Sequence, residues 1–337
     1  MHVLACYTPL HLLAARLLVP TLMQPCIILA PRPESLGDYW PDELSVCRRI
    51  TAPPARDLRG IWLHREQARR ERDVVASLRA ALGTKPYELH YSHLQEFAAN
   101  ALVFGRPRAR HLHVLPDGIL NYYDLRVDAA RFTRILGKAA VAASVGLRFH
   151  PFVGSLTGAD RPEVATEWSF DPGRSLHPSK ARRLTMQTRQ QAQAEHALLL
   201  LGQESYARRL NPSRFLALWQ RVITRLRDVL GDIPVLYKPH HLGIVDGRAA
   251  IHEHFTTVTT IASRQPAEEL VLDGRADTVA SLTSSALFHV RLADSTIRAI
   301  SVGGHLVSQL VGDLQAWETI GPMFTNVGVE LLELTEG

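Results

Sequence analysis

The stretch His111-Leu112-His113-Val114-Leu115-Pro116-Asp117-Gly118 reads as an apolar strand that runs into a glycine turn carrying a carboxylate. A strand end is rigid, and glycine lets the backbone turn tightly and approach a ligand, so Asp117 stands where a catalytic base would stand. Asn121-Tyr122-Tyr123 follows at once. Outward from this point, apolar runs at 3–6, 26–30, 88–91 and 111–115 alternate with amphipathic stretches at 10–22, 57–82, 95–104 and 129–144. That βαβα rhythm predicts an open, mostly parallel sheet with helices on both faces.

Residues 146–185 break the rhythm. Pro151, Gly154, Gly158, Pro162, Pro172, Gly173 and Pro178 fall there, and the segment reads as an inter-domain connection with some short strands. The rhythm returns with strands at 197–201, 235–237, 258–262 and 278–282, and with helices at 212–230, from 266 and from near 284. Pro212 suits the first turn of its helix. The expectation is an α/β protein of two Rossmann-like domains, 1–150 and 191–337, joined by a connector at 151–190. Ligand is expected in the cleft between them, at the carboxyl ends of strands. No Gly-x-Gly-x-x-Gly follows the first strand, and neither a Walker loop nor Gly-x-Ser-x-Gly is present. A Rossmann dehydrogenase, a P-loop enzyme and an α/β-hydrolase are therefore disfavoured.

The 337 residues are enough for two domains, and a composition 46% hydrophobic and 21% charged is that of an ordinary globular chain. No apolar run approaches the ~18–20 residues that span a bilayer. Pro9 and His11 interrupt the first apolar stretch and no Lys or Arg precedes it, so it reads as a core strand, not a signal peptide, and a cytoplasmic location is expected. Cys6, Cys26 and Cys47 lie too far apart for a disulfide framework or a zinc knuckle. The formal charge of +5 fits an anionic substrate, and it is compatible with peripheral association at the inner face of the cytoplasmic membrane. The basic segment 65–72 is interleaved with Glu66 and Glu71, as on a solvated helix face. Arg106, Arg108 and Arg110 read as a solvated loop, and no nucleic-acid partner is expected.

Two further segments carry chemistry. Thr283-Ser284-Ser285 follows a strand and opens a helix; serine caps helices, and two hydroxyls beside free amides also suit a phosphate. Lys238-Pro239-His240-His241 ends the strand at 235–237. A histidine there can donate to a phosphate or protonate a leaving group, because its pKa lies near neutrality. Adjacent histidines on an extended chain point to opposite faces, so one acts, and His240 is the choice. His111 and His113 share a strand face, and His252-Glu253-His254 alternates ligand types. Neither set is complete at a known spacing and His-Glu-x-x-His is missing, so no metal is expected.

An Asp-Gly turn in the first half, a histidine motif in the second and a serine pair beyond it resemble, in that order, the bacterial sialyltransferases of GT-B architecture, the polysialyltransferase-like and lipooligosaccharide sialyltransferase groups. Thr8-Pro9-Leu10-His11 after the first strand and Leu200-Leu201-Gly202-Gln203 at the start of the second domain add to the resemblance. It implies a GT-B fold, two Rossmann-like domains facing across a cleft. It implies Asp117 as general base, His240 as phosphate and cytidine contact and general acid, and Ser284 and Ser285 on the donor phosphate. Gly202, Gln203, Lys238 and Pro239 would complete the donor side. Thr8, Pro9, His11, Gly118 and Tyr122 would lie on the acceptor side, and the loops after Tyr7, Tyr91 and Asp117 would hold the acceptor. Pro116 departs from the second acidic residue of many relatives, and His241 departs from the proline of the His-Pro motif. His150-Pro151 and His177-Pro178 fall in or near the connector and are set aside.

The implied reaction is inverting transfer of sialic acid or a related nonulosonic acid from its CMP donor to a hydroxyl of a bacterial surface glycan or glycolipid, such as O-antigen, lipooligosaccharide or capsule. It implies no obligatory cofactor. Transfer from CMP-Kdo or a UDP-hexose on the same fold, and a non-catalytic nucleotide- or glycan-binding protein, are the alternatives.

Overall fold

A computed structural model describes residues 1–53, 55, 60–106, 108–186, 196–240, 251–252 and 254–334. The chain divides into two compact units, Met1–Thr185 and Met186–Gly337. His241 and Glu253, named above among the candidate motifs, lie outside the described residues.

The first unit is built on strands β1 (His2–Ala5), β2 (Cys26–Ala30), β3 (Arg48–Thr51), β4 (Glu88–Tyr91), β5 (His111–Val114), β6 (Val164–Ser169) and β7 (Ala181–Arg183). They form one sheet in the order β3-β2-β1-β4-β5-β6-β7, with every neighbouring pair parallel. Helices Pro9–Leu18, Gly60–Leu82, Phe97–Val103 and Ala129–Ala143 connect the strands. Val3, Leu29, Leu89 and Val114 of the sheet share a buried core with Leu78, Phe97 and Ile135 of the helices. Burial on both faces is why β2, Cys-Ile-Ile-Leu-Ala, reads as a continuous apolar run.

The expected connector is corrected here. Val164–Ser169 and Ala181–Arg183 extend the first sheet, and Phe149, Phe152, Leu156 and Ala159 join its core. Prolines and glycines mark turns, and in this segment they mark the turns around two strands, not a linker. The boundary between the units falls after Thr185.

The second unit carries β8 (Leu198–Leu201), β9 (Val235–Lys238), β10 (Val258–Thr260), β11 (Thr278–Ser281), β12 (Arg298–Val302) and β13 (Glu330–Leu332). Their order is β10-β9-β8-β11-β12-β13, again all parallel. Helix Pro212–Leu230 has the expected bounds for local reasons. The Asn211 side chain accepts from the Arg214 N–H at 3.0 Å, Pro212 occupies the first turn, and Gly231 ends the helix at φ +74°. Phe215, Leu218, Trp219, Val222, Ile223 and Leu226 recur at helical spacing and form its buried face. β3, β12, β13 and the helices Gly304–Leu310 and Leu314–Asn326 had not been anticipated. β3 is an edge strand that buries Ile50 alone, so its sequence carries little apolar signal. Among the described residues no helix is long and apolar enough to cross a membrane.

Trp219 is fully buried and stacks on Phe215 with ring centroids 5.8 Å apart. Trp219→Ala should reduce unfolding stability by about 3–5 kcal/mol, the usual loss for a buried aromatic ring. Urea unfolding followed by circular dichroism measures it; a loss below about 1 kcal/mol would mean that this helix is not docked on its sheet.

Candidate active site

In the first sheet β1 and β4 are neighbours without being consecutive, so the winding reverses between them and opens a crevice at the carboxyl edge. Three side chains meet at that edge: His11 in the helix after β1, His93 just past β4, and Asp117 past β5. The Tyr7 N–H donates to His11 Nδ1 at 3.1 Å. In the neutral ring the His11 proton is thereby placed on Nε2, which lies 3.4 Å from Asp117 Oδ1. His93 repeats the device. The Gln95 N–H donates to its Nδ1 at 3.2 Å, and its Nε2 lies 3.4 Å from Asp117 Oδ2 and 3.4 Å from Glu96 Oε1. His11 thus aims its Nε2–H at one oxygen of Asp117, while His93 hydrogen-bonds Glu96 and sets its ring beside the other oxygen of Asp117.

The electrostatics follow from that geometry. Burial opposes charge on Asp117, but the hydrogen bond from His11 and the His93 and His11 imidazoles outweigh it and hold the carboxyl below the usual aspartate range. For His93 burial pulls the other way, yet the Glu96 hydrogen bond and the Asp117 and Glu96 charges raise it above the ordinary imidazole value. Behind His93, Glu96 pairs with Arg32, which lies past β2, and Arg32 also reaches Glu71 at 3.5 Å. Burial disfavours charge on Glu96, but Arg32 and His93 prevail and keep it ionised. Each imidazole has its second nitrogen engaged by a backbone N–H, which leaves the ionised carboxylates of Asp117 and Glu96 as proton acceptors at this edge. The Asp117 side chain is 21% exposed against 9% for Glu96, so it is the more reachable of the two carboxylates.

The turn that carries Asp117 is clamped from β6. Asn121 Oδ1 accepts from the Asp117 N–H at 3.2 Å, and Asn121 Nδ2 donates to Glu167 Oε1 at 2.9 Å. Gly118 takes φ +56°, a conformation costly for other residues. Tyr122, expected on the acceptor side, faces inward: its hydroxyl accepts from the Ser169 hydroxyl at 3.0 Å and from the Phe170 and Asp171 N–H groups at 3.1 Å. It holds the end of β6. Thr8 caps the helix Pro9–Leu18 through its backbone, and Pro9 is buried in the first turn.

In the second sheet the corresponding reversal lies between β8 and β11, and the candidate donor residues leave the carboxyl ends of β9, β8 and β11, three adjacent strands. Gln203 is an organiser: its Oε1 accepts from the Thr283 N–H at 2.7 Å and from the Ser281 hydroxyl at 3.2 Å. This seats the loop bearing Ser284 and Ser285 against β8. The Ser284 side chain accepts from the Ala286 N–H at 3.3 Å, capping the helix Ser285–Ala293. The buried Glu204 accepts from the Tyr237 hydroxyl through Oε1, and from the His240 N–H through Oε2 at 2.8 Å. Lys238 Nζ donates to the Ser263 carbonyl at 2.9 Å, and Pro239 continues the strand end toward His240. A Cβ on Gly202 would come within 2.4 Å of Glu204 Oε1 and 2.6 Å of the Tyr237 hydroxyl, so a side chain at this position would have to displace them.

Each unit therefore gathers its own candidates at its own carboxyl edge. His93, Glu96, Arg32 and Glu204 were not anticipated. The signal for His93 was its place in the loop just after a strand; Glu204 follows the Leu-Leu-Gly-Gln run directly.

No family model matches the chain, and no curated protein does. Among solved structures it is similar to an α/β-galactoside α-2,3-sialyltransferase of the luminous marine bacterium Photobacterium phosphoreum, at 12% identity over 98% of each chain with a TM-score of 0.53. It is also similar to the 2,6-sialyltransferase of Photobacterium sp. JT-ISH-224, solved with CMP and lactose, at 11% identity, 98% of this chain, 78% of the other and a TM-score of 0.56. The chain has the GT-B glycosyltransferase fold, as expected from its sequence.

Two outcomes follow from these contacts. The folded pKa of Asp117 lies below its unfolded value of about 4, so its ionised form stabilises the fold above that pH, and the contribution is lost as pH falls through the folded value. The stability gap between the wild type and Asp117→Asn should therefore shrink on acidification below about pH 4; a gap unchanged from pH 7 to about pH 3 in denaturant titrations contradicts the imidazole–carboxylate pairing. Gly202→Ala should destabilise by about 1–3 kcal/mol, as overpacking does, through displacement of Glu204. A thermal melt indistinguishable from the wild type would count against that close packing.

Proposed function

We propose that this chain is an inverting glycosyltransferase that moves a sialic acid or related nonulosonic acid from its CMP donor to a hydroxyl of a bacterial surface glycan. The observation that carries the reading is the Asp117 carboxylate held between two imidazoles, hydrogen-bonded by His11 and facing His93, whose own hydrogen bond goes to Glu96. Such a carboxylate is ionised at neutral pH and oriented. Its depressed pKa makes it a weak base toward a free alcohol. That suffices when the acceptor hydroxyl becomes acidic only as its oxygen bonds to the anomeric carbon.

In the proposed step the acceptor O–H proton goes to Asp117. The acceptor oxygen forms a bond to the anomeric carbon, and the bond from that carbon to the phosphate oxygen breaks, with its electron pair leaving on CMP. One displacement inverts the configuration. His240, Ser284 and Ser285 would meet the charge that develops on the departing phosphate, as electrostatic stabilisation requires. Gln203, Glu204 and Gly202 would act indirectly, by fixing the loops that bear those groups. His11 and His93 would orient the base and hold it ionised. The choice of CMP is supported by the motif order in the sequence and by the fold shared with a protein solved with CMP.

Asp117→Ala should lower transfer by about 10²–10⁴-fold, the span usual for a general base, while the CMP-induced thermal shift persists. Full activity in that variant would remove Asp117 from the mechanism. In a melting panel with CMP, UDP and GDP, CMP should stabilise selectively, because a ligand that prefers the folded state raises its melting temperature. Selective stabilisation by UDP would favour the UDP-hexose reading on the same fold.

A further inference from the structure

The first sheet has a second cluster, at the amino ends of its strands, which the proposed reaction does not use. His2 and Glu88 open β1 and β4 and are register partners. His90 follows Glu88 on the same face, since strand side chains alternate with period two, and it pairs in register with His113 of β5. The parallel ladder thus collects three imidazoles and one carboxylate on a single face.

Their separations suit one shared ion. His2 Nδ1 lies 3.1 Å from His90 Nε2 and 3.5 Å from Glu88 Oε2. The ligand atoms of His2, Glu88 and His90 all fall within 4.8 Å of one another. For tetrahedral zinc with bonds of about 2.0–2.1 Å, neighbouring ligand atoms stand about 3.3 Å apart. The two edges that meet at His2 Nδ1, 3.1 and 3.5 Å, bracket that length.

Hydrogen bonding alone serves the cluster less well. His2 Nδ1 faces both His90 Nε2 and Glu88 Oε2, and a single proton satisfies one of them. A divalent cation takes both imidazole lone pairs and the carboxylate charge together. His113 Nε2 stands 3.1 Å from Glu88 Oε2 and would orient the carboxylate from outside, as outer-shell groups do at metal sites. The Glu88 side chain is 24% exposed, so the cluster is in contact with solvent.

We propose that His2 Nδ1, His90 Nε2 and Glu88 Oε2 bind a divalent first-row transition ion, zinc by ligand type, which pins β1 to β4 at the edge opposite Asp117. Two imidazoles and a carboxylate match zinc and its neighbours better than magnesium or calcium, which take all-oxygen sets. The role is structural, so it is independent of the transferase reading. The sequence missed the site because its ligands come from two strands far apart in the chain, and neither strand alone holds a known spacing.

The test uses full-length, tag-free protein stripped with a chelator, titrated with cobalt(II) as a visible probe and then with zinc. One equivalent of cobalt should bind with d–d absorption, zinc should displace it, and zinc should raise the melting temperature. His2→Gln and Glu88→Gln, both near the sheet edge, should each weaken cobalt binding by more than about tenfold, the least expected even for an outer-shell partner. His196→Gln, an exposed histidine paired with Asp277 in the second unit, should leave binding unchanged. Circular dichroism confirms that each variant is folded. Absence of a one-equivalent site in the wild type overturns the proposal, as does undiminished binding in both His2→Gln and Glu88→Gln.

Discussion

A parallel sheet sends every strand's exit loop to the same edge, and the rest of this molecule depends on that constraint. In the first unit β2, β1, β4 and β5 lie side by side, and the segments leaving them carry Arg32, His11, His93 and Asp117 respectively. In the second unit β9, β8 and β11 lie side by side and deliver His240, Gln203 and the Thr283-Ser284-Ser285 loop. Both clusters sit where the winding of their sheet reverses, the place at which open α/β sheets leave a crevice. The histidine–glutamate cluster is the complementary case, since it belongs to the strands themselves at their amino ends.

At each carboxyl edge, buried acidic groups do the positioning. Asp117 and Glu96 face the Nε2 atoms of His11 and His93 because backbone amides occupy Nδ1 of both rings, which ties the proton position to main-chain geometry. Arg32, lying over the Tyr7 ring and paired with Glu96 and Glu71, balances the negative charge collected behind His93. Glu204 anchors the His240 N–H and the Tyr237 hydroxyl, and Gly202 supplies the space that this carboxylate needs. A buried carboxylate that lost its donors would carry a desolvation penalty of several kcal/mol, so these networks resist partial disruption.

The segment between the first βαβα run and the second unit shows how local signals can mislead about global placement. Its prolines and glycines are turn formers, and turns occur both in linkers and between strands of a growing sheet. Glu167 and Ser169 of β6 bind Asn121 and Tyr122, so this segment holds the Asp117 turn from one side. Tyr122 looks like a ligand-facing aromatic in sequence, yet its hydroxyl is consumed by three donors from the β6 end. An aromatic hydroxyl near a motif carries no mark of which way its ring points.

Local periodicity and turn chemistry sufficed for much of this protein. The strand at 26–30 and the helix at 212–230 have the expected bounds, because a continuous apolar run, an Asn-Pro start and a terminal glycine are properties of adjacent residues. The exit loops that carry Asp117, Gly202, His240 and Ser284 were legible for the same reason. The partners of those residues were not. His93 beside Asp117, Glu204 beneath His240, and His2 with Glu88 and His90 are brought together by strand order and parallel register. Hydrophobic pattern determines which residues become strands, whereas the order in which those strands pair is decided only when the whole sheet closes its core, and that order determines which polar side chains become neighbours.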